Sequence, residues 1–496
     1  MEMIRNFPCL SILLSMFSAI ISSAVKGRGA RRINTFVVSV VGILSACTLY
    51  YTYTTGQSYV YVMGHFPAPF GNEIRFGSLE AGMALFFCVI MLLSLNGGRR
   101  KIQMEVDPEK ENLYFIMVDL LLSSLLALVY TNDLFTAYVF VEINTIAACG
   151  LIMIMESGRA IEAATRYMIM SLLGSGLFLI GLCMLYDMTG HLLMSNVQVS
   201  IQAIAADGTY VIPLLVMIAL LVVGLAIKSA LFPFHAWLPD AYGYSTVSSA
   251  AMLSSLVSKG YIFLLIKIIY RVIGFDIFVQ SRIINVLFVF GLAGMIMGST
   301  SAIRENDIRR MISYSSVAQI GYIYMGFGLG TSAGMAASVF HILAHAATKS
   351  LLFVSGVGLT DVSGDHKEFI ELTGSAYRNV CAGLAFTVGS LSMVGIPLFS
   401  GFISKLLFSQ AAVQSQIKML PALIVLAVST VLNAIYFMKT VIRIYTPVSC
   451  KYKSVSIREN PLYAFTLLCF VVLNIGLGMW SQPITDWIAQ GLSVFA

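Results

Sequence analysis

About fourteen times along this chain of 496 residues the sequence stays apolar for roughly twenty positions, the length an α-helix needs to cross a hydrocarbon core of about 30 Å. Only 11% of the residues are charged, against about 25% in a soluble domain. In hydrocarbon every backbone N–H and C=O must be satisfied internally, and apolar runs of this length satisfy them as helices. The expected fold is therefore all-α and polytopic, with about 14 transmembrane helices. They are expected near 8–25, 33–55, 76–95, 113–130, 133–155, 164–187, 210–236, 245–270, 283–303, 308–329, 333–360, 376–412, 419–442 and 462–480.

Ser22 and Ala24 offer small residues at a signal-peptide cleavage spacing. Lys26, Arg28, Arg31 and Arg32 follow directly and resist translocation, so the first segment reads as an uncleaved helix. Placing that loop in the cytosol puts the basic stretches 99–110, 304–310 and 451–458 on the same side, with Lys267, Arg271 and Arg282 against the rule. The chain is thus expected to be a multi-pass protein of the cytoplasmic membrane. The net charge of +6 belongs to these loops and gives no case for nucleic acid. The eight cysteines are scattered without a CxxC. His65, His191 and His366 fall in loops or at their edges, and no Gly-rich phosphate loop is present. The chain is therefore expected to hold no cofactor, no metal and no redox centre of its own.

The charges inside the apolar segments are the next constraint. A lysine at the centre of a membrane helix costs about 2.5 to 3.5 kcal/mol on insertion scales, which makes it a functional-site candidate. Lys228, Lys259, Lys349 and Lys405 stand in four separate apolar segments. Glu142 lies about nine residues into the fifth segment, near mid-depth, and is the expected partner of Lys228. His341, His345 and Lys349 recur at i, i+4 and i+8 on one helix face and suit a proton relay. A metal on that row is disfavoured, because no carboxylate ligand accompanies it. Counted from the cytosolic ends, Lys228 falls toward the inside, Lys259 and the histidines near the middle, and Lys405 toward the outside. His235 and Asp240 border the cytosolic end of the seventh segment as an inlet, whereas Glu80 and Asp119 stand near helix starts, where snorkelling or a water-filled crevice suffices. Residues 481–496 read as a short amphipathic interfacial segment anchored by Trp487.

Two of these helices carry break signals. Pro233 is expected to free the carbonyl of Ser229, and Pro397, flanked by Gly395 and Gly401, that of Met393. An internal echo relates them. FLLIKIIYRVI, with Lys267 and Arg271, matches IYFMKTVIRIY, with Lys439 and Arg443; TNDLF, with Asp133, matches ENDIR, with Asp307. Both matches shift the chain by five helices, an odd number that turns one copy upside down, as in inverted-repeat transporters. The expected organisation is helices one to three in 1–112, a first repeat in 113–270, a second in 283–445, and a last helix with the interfacial segment in 462–496.

The stretches TNDLFTAYVFVEI, KSALFPFHAWLPDAY, SSLVSKGYIFLLIK, RENDIRRMISYSSVAQIGY, HILAHAATKSLLF and GIPLFSGFISK resemble the antiporter-like, proton-pumping subunits shared by respiratory complex I, membrane-bound hydrogenases and multisubunit Mrp sodium/proton antiporters. The resemblance covers the fourth to the thirteenth helix. It implies a hydrated axis through Glu142, Lys228, Lys259, His341, His345 and Lys405, with Lys349 at a position that some members share. The length looks more like an Mrp D-type or hydrogenase subunit than the largest complex I subunit. What it implies is a subunit that translocates protons, or sodium against protons, beside other membrane subunits of an oxidoreductase or antiporter complex. The alternative is a non-conducting scaffold or quinone-binding subunit of a redox complex, its charges serving assembly.

Overall fold

The computed structural model describes residues 2–66, 71–208, 210–448, 454–455 and 459–495. The basic stretch 451–458 therefore lies outside the described residues, apart from Ser454 and Val455. The long helices are α1 (Phe7–Ser23), α2 (Gly27–Thr55), α3 (Ser78–Gly97), α4 (Glu111–Tyr130), α5 (Leu134–Met153), α6 (Gly158–Thr189) and α7 (Val211–Lys228). They continue with α8 (Val247–Ile273), α9 (Ile283–Arg304), α10 (Ile308–Gly328) and α11 (Ser332–Asp361). The last are α12 (Val380–Val394), α13 (Ser400–Val413), α14 (Met419–Ile444), α15 (Pro461–Met479) and α16 (Ser481–Phe495).

Twelve helices among the described residues are long and apolar enough to cross a membrane, so the chain is a polytopic all-α membrane protein. The two remaining expected segments are helical but differ in kind. α10 runs 21 residues with a more polar composition, and the segment expected at 376–412 is split into α12 and α13.

Two helix starts follow local capping chemistry, while the helices expected from 33 and 164 begin six residues earlier, at Gly27 and Gly158. Asp133 caps α5 by accepting from the Thr136 N–H, and Asp307 caps α10 by accepting from the N–H groups of Arg309 and Arg310. The TND and END echo is thus a shared way of beginning a helix. α6 and α7 cross closely at Gly174 and Gly224, where a Cβ on either residue would sit within 3 Å of the other's carbonyl oxygen. The apolar stretches of α8 and α11 are buried throughout, which puts them at the centre of the bundle. A helix apolar on all sides belongs there, and these two carry Lys259, His341, His345 and Lys349.

Three expectations need correction. α7 stops at Lys228 rather than near 236, so Pro233 lies in the turn that follows and removes no bond from the helix interior. Residues 481–495 form a helix packed into the protein: Trp487 covers Gly82 of α3, and Ile488, Leu492 and Phe495 are buried. Glu80 and Asp119 do not snorkel but are fully buried. A small addition to the all-α fold is the hairpin of β1 (Tyr59–Val62) and β2 (Glu73–Phe76), paired antiparallel.

Candidate functional site

The first cluster forms where α7 ends. Lys228 Nζ lies 4.0 Å from Glu142 Oε1 of α5, an ion-pair contact too long for a hydrogen bond. The lysine is wholly buried, while the Glu142 side chain keeps 25% of its surface exposed on the flank of the bundle. Lys228 instead donates to Thr145 Oγ1 at 2.6 Å and to Ser171 Oγ at 3.5 Å, and stands 5.5 Å from the Tyr261 ring centroid. Tyr261 donates to Asn144 Oδ1 at 3.0 Å, which ties α5 to α8. The small crossing of α6 and α7 is what brings Ser171 against the lysine.

Just beyond Lys228 the chain turns through Ala230 at φ +63° and reaches the short helix Leu238–Tyr244. Ser229 Oγ is 2.6 Å from the Tyr324 hydroxyl of α10, so the turn touches the second half of the molecule. His235 stacks on Phe232, and Asp240 is held by Arg166 at 2.9 Å and by Arg310. The expected inlet pair therefore differs in state: the carboxylate is engaged in a surface ion-pair network, whereas His235 Nδ1 has no partner among the described residues.

At the centre, α8 widens into a π-turn over Leu253–Val257, and Lys259 donates to the Ser254 carbonyl at 2.5 Å. Single π-turns within helices recur at functional sites. Lys259 lies close enough to His341, His345 and Lys349 to act on all three electrostatically. Lys349 donates to the Ile312 carbonyl at 2.8 Å and to Ser315 Oγ. The two imidazoles stack at 5.8 Å between centroids, and His341 also stacks on Tyr322 at 5.6 Å. His341 Nδ1 is 2.5 Å from Ser404 Oγ, whereas both ring nitrogens of His345 have no hydrogen-bond partner among the described residues.

Lys405 completes the row. Its ammonium donates to the carbonyls of Met393, at 3.2 Å, and Val394, at 2.6 Å, the groups left open where α12 ends before Pro397. It stands 6.0 Å from the Tyr322 ring that also stacks on His341. Gly395, at φ +92°, makes room: a Cβ there would lie 2.9 Å from Lys405 Cδ. The structure thus gathers Lys259, His341, His345, Lys349 and Lys405 around α11 and links Glu142 and Lys228 to α8 through Thr145, Asn144 and Tyr261. The tyrosines 261, 322 and 324 and Ser404 were not singled out from the sequence. Their polar ends in apolar helices were the available signal.

A second buried charge cluster also escaped the sequence reading. Arg271 pairs with Glu80 at 2.7 Å with both side chains 1% exposed, under the Phe495 ring at 4.1 Å. Lys267 donates to the carbonyls of Val129 at 2.9 Å and Thr131 at 2.5 Å. Asp119 accepts from Ser18 at 2.7 Å and Asn34 at 2.6 Å, tying α4 to α1 and α2. The signal for the ion pair was a carboxylate and a guanidinium on different apolar helices, with the guanidinium on the wrong side for a loop charge.

Residues 131–432 match the family described as NADH:quinone oxidoreductase/Mrp antiporter, TM. NADH-quinone oxidoreductase subunit N of Desulforudis audaxviator (strain MP104C) is 32% identical over 503 aligned positions, covering 98% of this chain and 98% of that one. A chain of the membrane-bound sulfane sulfur reductase, an archaeal respiratory membrane complex, superimposes with a TM-score of 0.88 at 25% identity, over 100% of this chain and 98% of the other. A chain of the Mrp complex from Dietzia sp. DQ12-45-1b has the same fold, with a TM-score of 0.87 at 22% identity, over 99% and 97%. This chain belongs to the NADH:quinone oxidoreductase/Mrp antiporter transmembrane family.

Proposed function

We propose that the chain is the ion-translocating membrane subunit of a multisubunit complex, and that protons cross it along Glu142, Lys228, Lys259, His341, His345, Lys349 and Lys405. The observation that carries this reading is the line of cations spanning both halves of the bundle, buried from Lys228 to Lys349 and half-buried at Lys405, with its one carboxylate contact, Glu142 to Lys228, at one end. The relatives named above, a quinone oxidoreductase subunit and a chain of an Mrp complex, support assembly with other membrane subunits. Protons, or sodium exchanged for protons, are the transported ions on this reading.

The chemistry follows from the surroundings of each group. A lysine in a low-dielectric site keeps its proton while a carboxylate faces it and releases it when that contact opens. Glu142 keeps a quarter of its side-chain surface exposed, where a neighbouring subunit or a conformational step reaches it. Lys228, held meanwhile by Thr145, passes its proton toward Lys259. The imidazoles carry it onward because each can take a proton on one nitrogen and release it from the other, with water satisfying the nitrogens that lack a protein partner. Lys405, seated on open carbonyls, is the exit group. Moving one charge through about 100 mV requires about 2.3 kcal/mol, within reach of a changed ion pair. His235, beside the α7 turn, is the entry group on this reading, and Asp240 with Arg166 and Arg310 its gate.

The two five-helix units, 113–270 and 283–445, are counterparts on this reading, each with one broken helix and one terminal lysine of the path. Residues 1–112 and 462–496 flank them.

Proton uptake by proteoliposomes holding the intact complex is the test. Lys228→Ala and Glu142→Ala are each expected to abolish coupled uptake while the complex assembles normally. Wild-type uptake in both variants would remove the pathway. Loss of assembly in both would select a scaffold whose charges serve packing.

A further inference from the structure

Near the basic end of the bundle, a cavity of about 490 Å³ opens between α2, α3 and α4. Arg31, Arg32 and Arg99 stand around it, Thr35, Ser39 and Asn96 give it a polar floor, and Phe36, Leu95, Ile102 and Phe115 give it apolar walls. Phe36 is 69% exposed, so the apolar wall continues onto the outer surface of the bundle. Arg31 lies near the start of α2, Phe115 near the start of α4, and Arg99 directly after α3. Three helices thus meet the membrane boundary here, on the side that the basic loops mark as cytosolic.

The charge around this cavity is unbalanced. On the same face several other basic groups meet carboxylates: Lys101 pairs with Asp361 at 2.8 Å and with Asp365, Lys110 with Glu156 at 2.5 Å, and Arg310 with Glu305 at 3.1 Å and with Asp240. At the cavity, Arg28, Arg32 and Arg99 all lie close enough to repel Arg31. The single carboxylate there, Glu111, reaches Arg31 at 3.5 Å, and Arg32 and Arg99 make no ion pair among the described residues. Converging guanidiniums over a polar floor recognise phosphate oxygens, often in bidentate fashion, and basic pockets between helices on the cytosolic side suit anionic lipid headgroups.

We propose that this cavity holds the phosphate headgroup of an anionic phospholipid of the cytosolic leaflet. Arg32 and Arg99 bind the phosphate, Arg31 backs them from its contact with Glu111, and Thr35, Ser39 and Asn96 bond the remaining polar groups. The acyl chains run outward along Phe36. The lipid supplies the anion that the cluster lacks and ties α2, α3 and α4 together at a point remote from the lysine path. The proposal is independent of that path.

Native mass spectrometry of the purified complex, delipidated and then offered phosphatidylglycerol, cardiolipin or phosphatidylcholine, tests it. The wild-type complex is expected to retain the two anionic lipids and not phosphatidylcholine. Each basic group near the membrane surface contributes about a fivefold factor, so Arg32→Gln with Arg99→Gln should lower retention by about twenty-fivefold. Arg304→Gln, at the end of α9 and away from the cavity, should change it little. Because the readout is lipid mass on intact complex, a variant that failed to fold would register as missing complex; Phe36→Ser, which keeps every charge, then serves as the second probe and should weaken retention through the lost apolar wall. Equal retention of all three lipids, or unchanged retention in the double arginine variant, would overturn the proposal. So would displacement by millimolar inorganic phosphate, which would make the cavity a free-anion site, or a wild-type complex that takes up none of the three, which would leave the cluster to an acidic segment of a neighbouring subunit.

Discussion

The break after α7 and the break between α12 and α13 accommodate a lysine in opposite ways, the first fully buried and the second half-buried. Lys228 is the last residue of its helix and faces outward from the break, to a hydroxyl at 2.6 Å and a carboxylate at 4.0 Å on other helices. Lys405 comes after its break and folds back on it, spending its hydrogen bonds on the open carbonyls of Met393 and Val394. The first lysine therefore answers to a charge that can change. The second answers to fixed backbone dipoles. On the proposed path that difference suits a first lysine switched by Glu142 and an exit lysine whose seat stays constant.

The largest expected effect breaks the comparison outright. Lys228→Ala should end coupled uptake and leave Glu142 without its cation, whereas Lys405→Ala should leave carbonyls that water can satisfy. Uptake by the reconstituted complex should therefore fall further in the Lys228 variant. An equal loss in both would mean that the two breaks do the same work.

Lys405→Glu sharpens the contrast. A carboxyl group can serve the carbonyls of Met393 and Val394 only while protonated, since an ionised carboxylate has no donor. It remains titratable, however, so the glutamate variant should keep more uptake than Lys405→Ala. Its pH profile should move toward acid, because in solution a carboxyl titrates near about 4.3 and an amine near about 10.4. A profile unchanged from wild type, or uptake no better than in the alanine variant, would make Lys405 a packing residue.

Thr145→Val should act more mildly. Hydrogen bonds to charged groups contribute about 1.5–3 kcal/mol, so removing the hydroxyl at 2.6 Å from Lys228 should slow uptake by roughly ten- to a hundredfold. Unaltered uptake would put the whole control of Lys228 on Glu142.

Much of this was legible in the residues themselves. Runs of twenty apolar positions gave the class, and Gly395 and Pro397 the second break. Each is a local property, fixed by backbone chemistry within a turn or two. What was not legible depends on neighbours. Apolar periodicity cannot say whether the face carrying Trp487 and Phe495 meets lipid or protein, and the structure sets it on α3 and over Arg271. The π-turn beneath Lys259 has no residue type that announces it. Pro233 misplaced the end of α7, because a proline signals that a helix cannot continue through it but not how many residues earlier it stops.

The smallest expected effects lie in the backbone of the two breaks. Both pass through left-handed residues: Ala230 at φ +63° in the first break, and Gly395 at φ +92° with Leu398 at φ +89° in the second. An alanine in that region costs about 1–2 kcal/mol relative to a right-handed conformation, and glycine avoids this at a cost in unfolded-chain entropy of about 0.5–1 kcal/mol. Ala230→Gly should therefore be neutral or stabilise by up to about 1 kcal/mol, with uptake kept, because the change removes one methyl and no polar group from the turn. Gly395→Ala adds the same strain to a break that already holds Leu398 at φ +89° and places a methyl 2.9 Å from Lys405 Cδ, so the ammonium must leave its carbonyls. It should lower both thermal stability and uptake. Thermal unfolding of the two variants in detergent measures the first effect and the liposome assay the second. If Ala230→Gly instead impaired uptake, the turn after Lys228 would need its restricted backbone to aim the lysine. The first break would then depend on rigidity as much as the second depends on the space that Gly395 leaves.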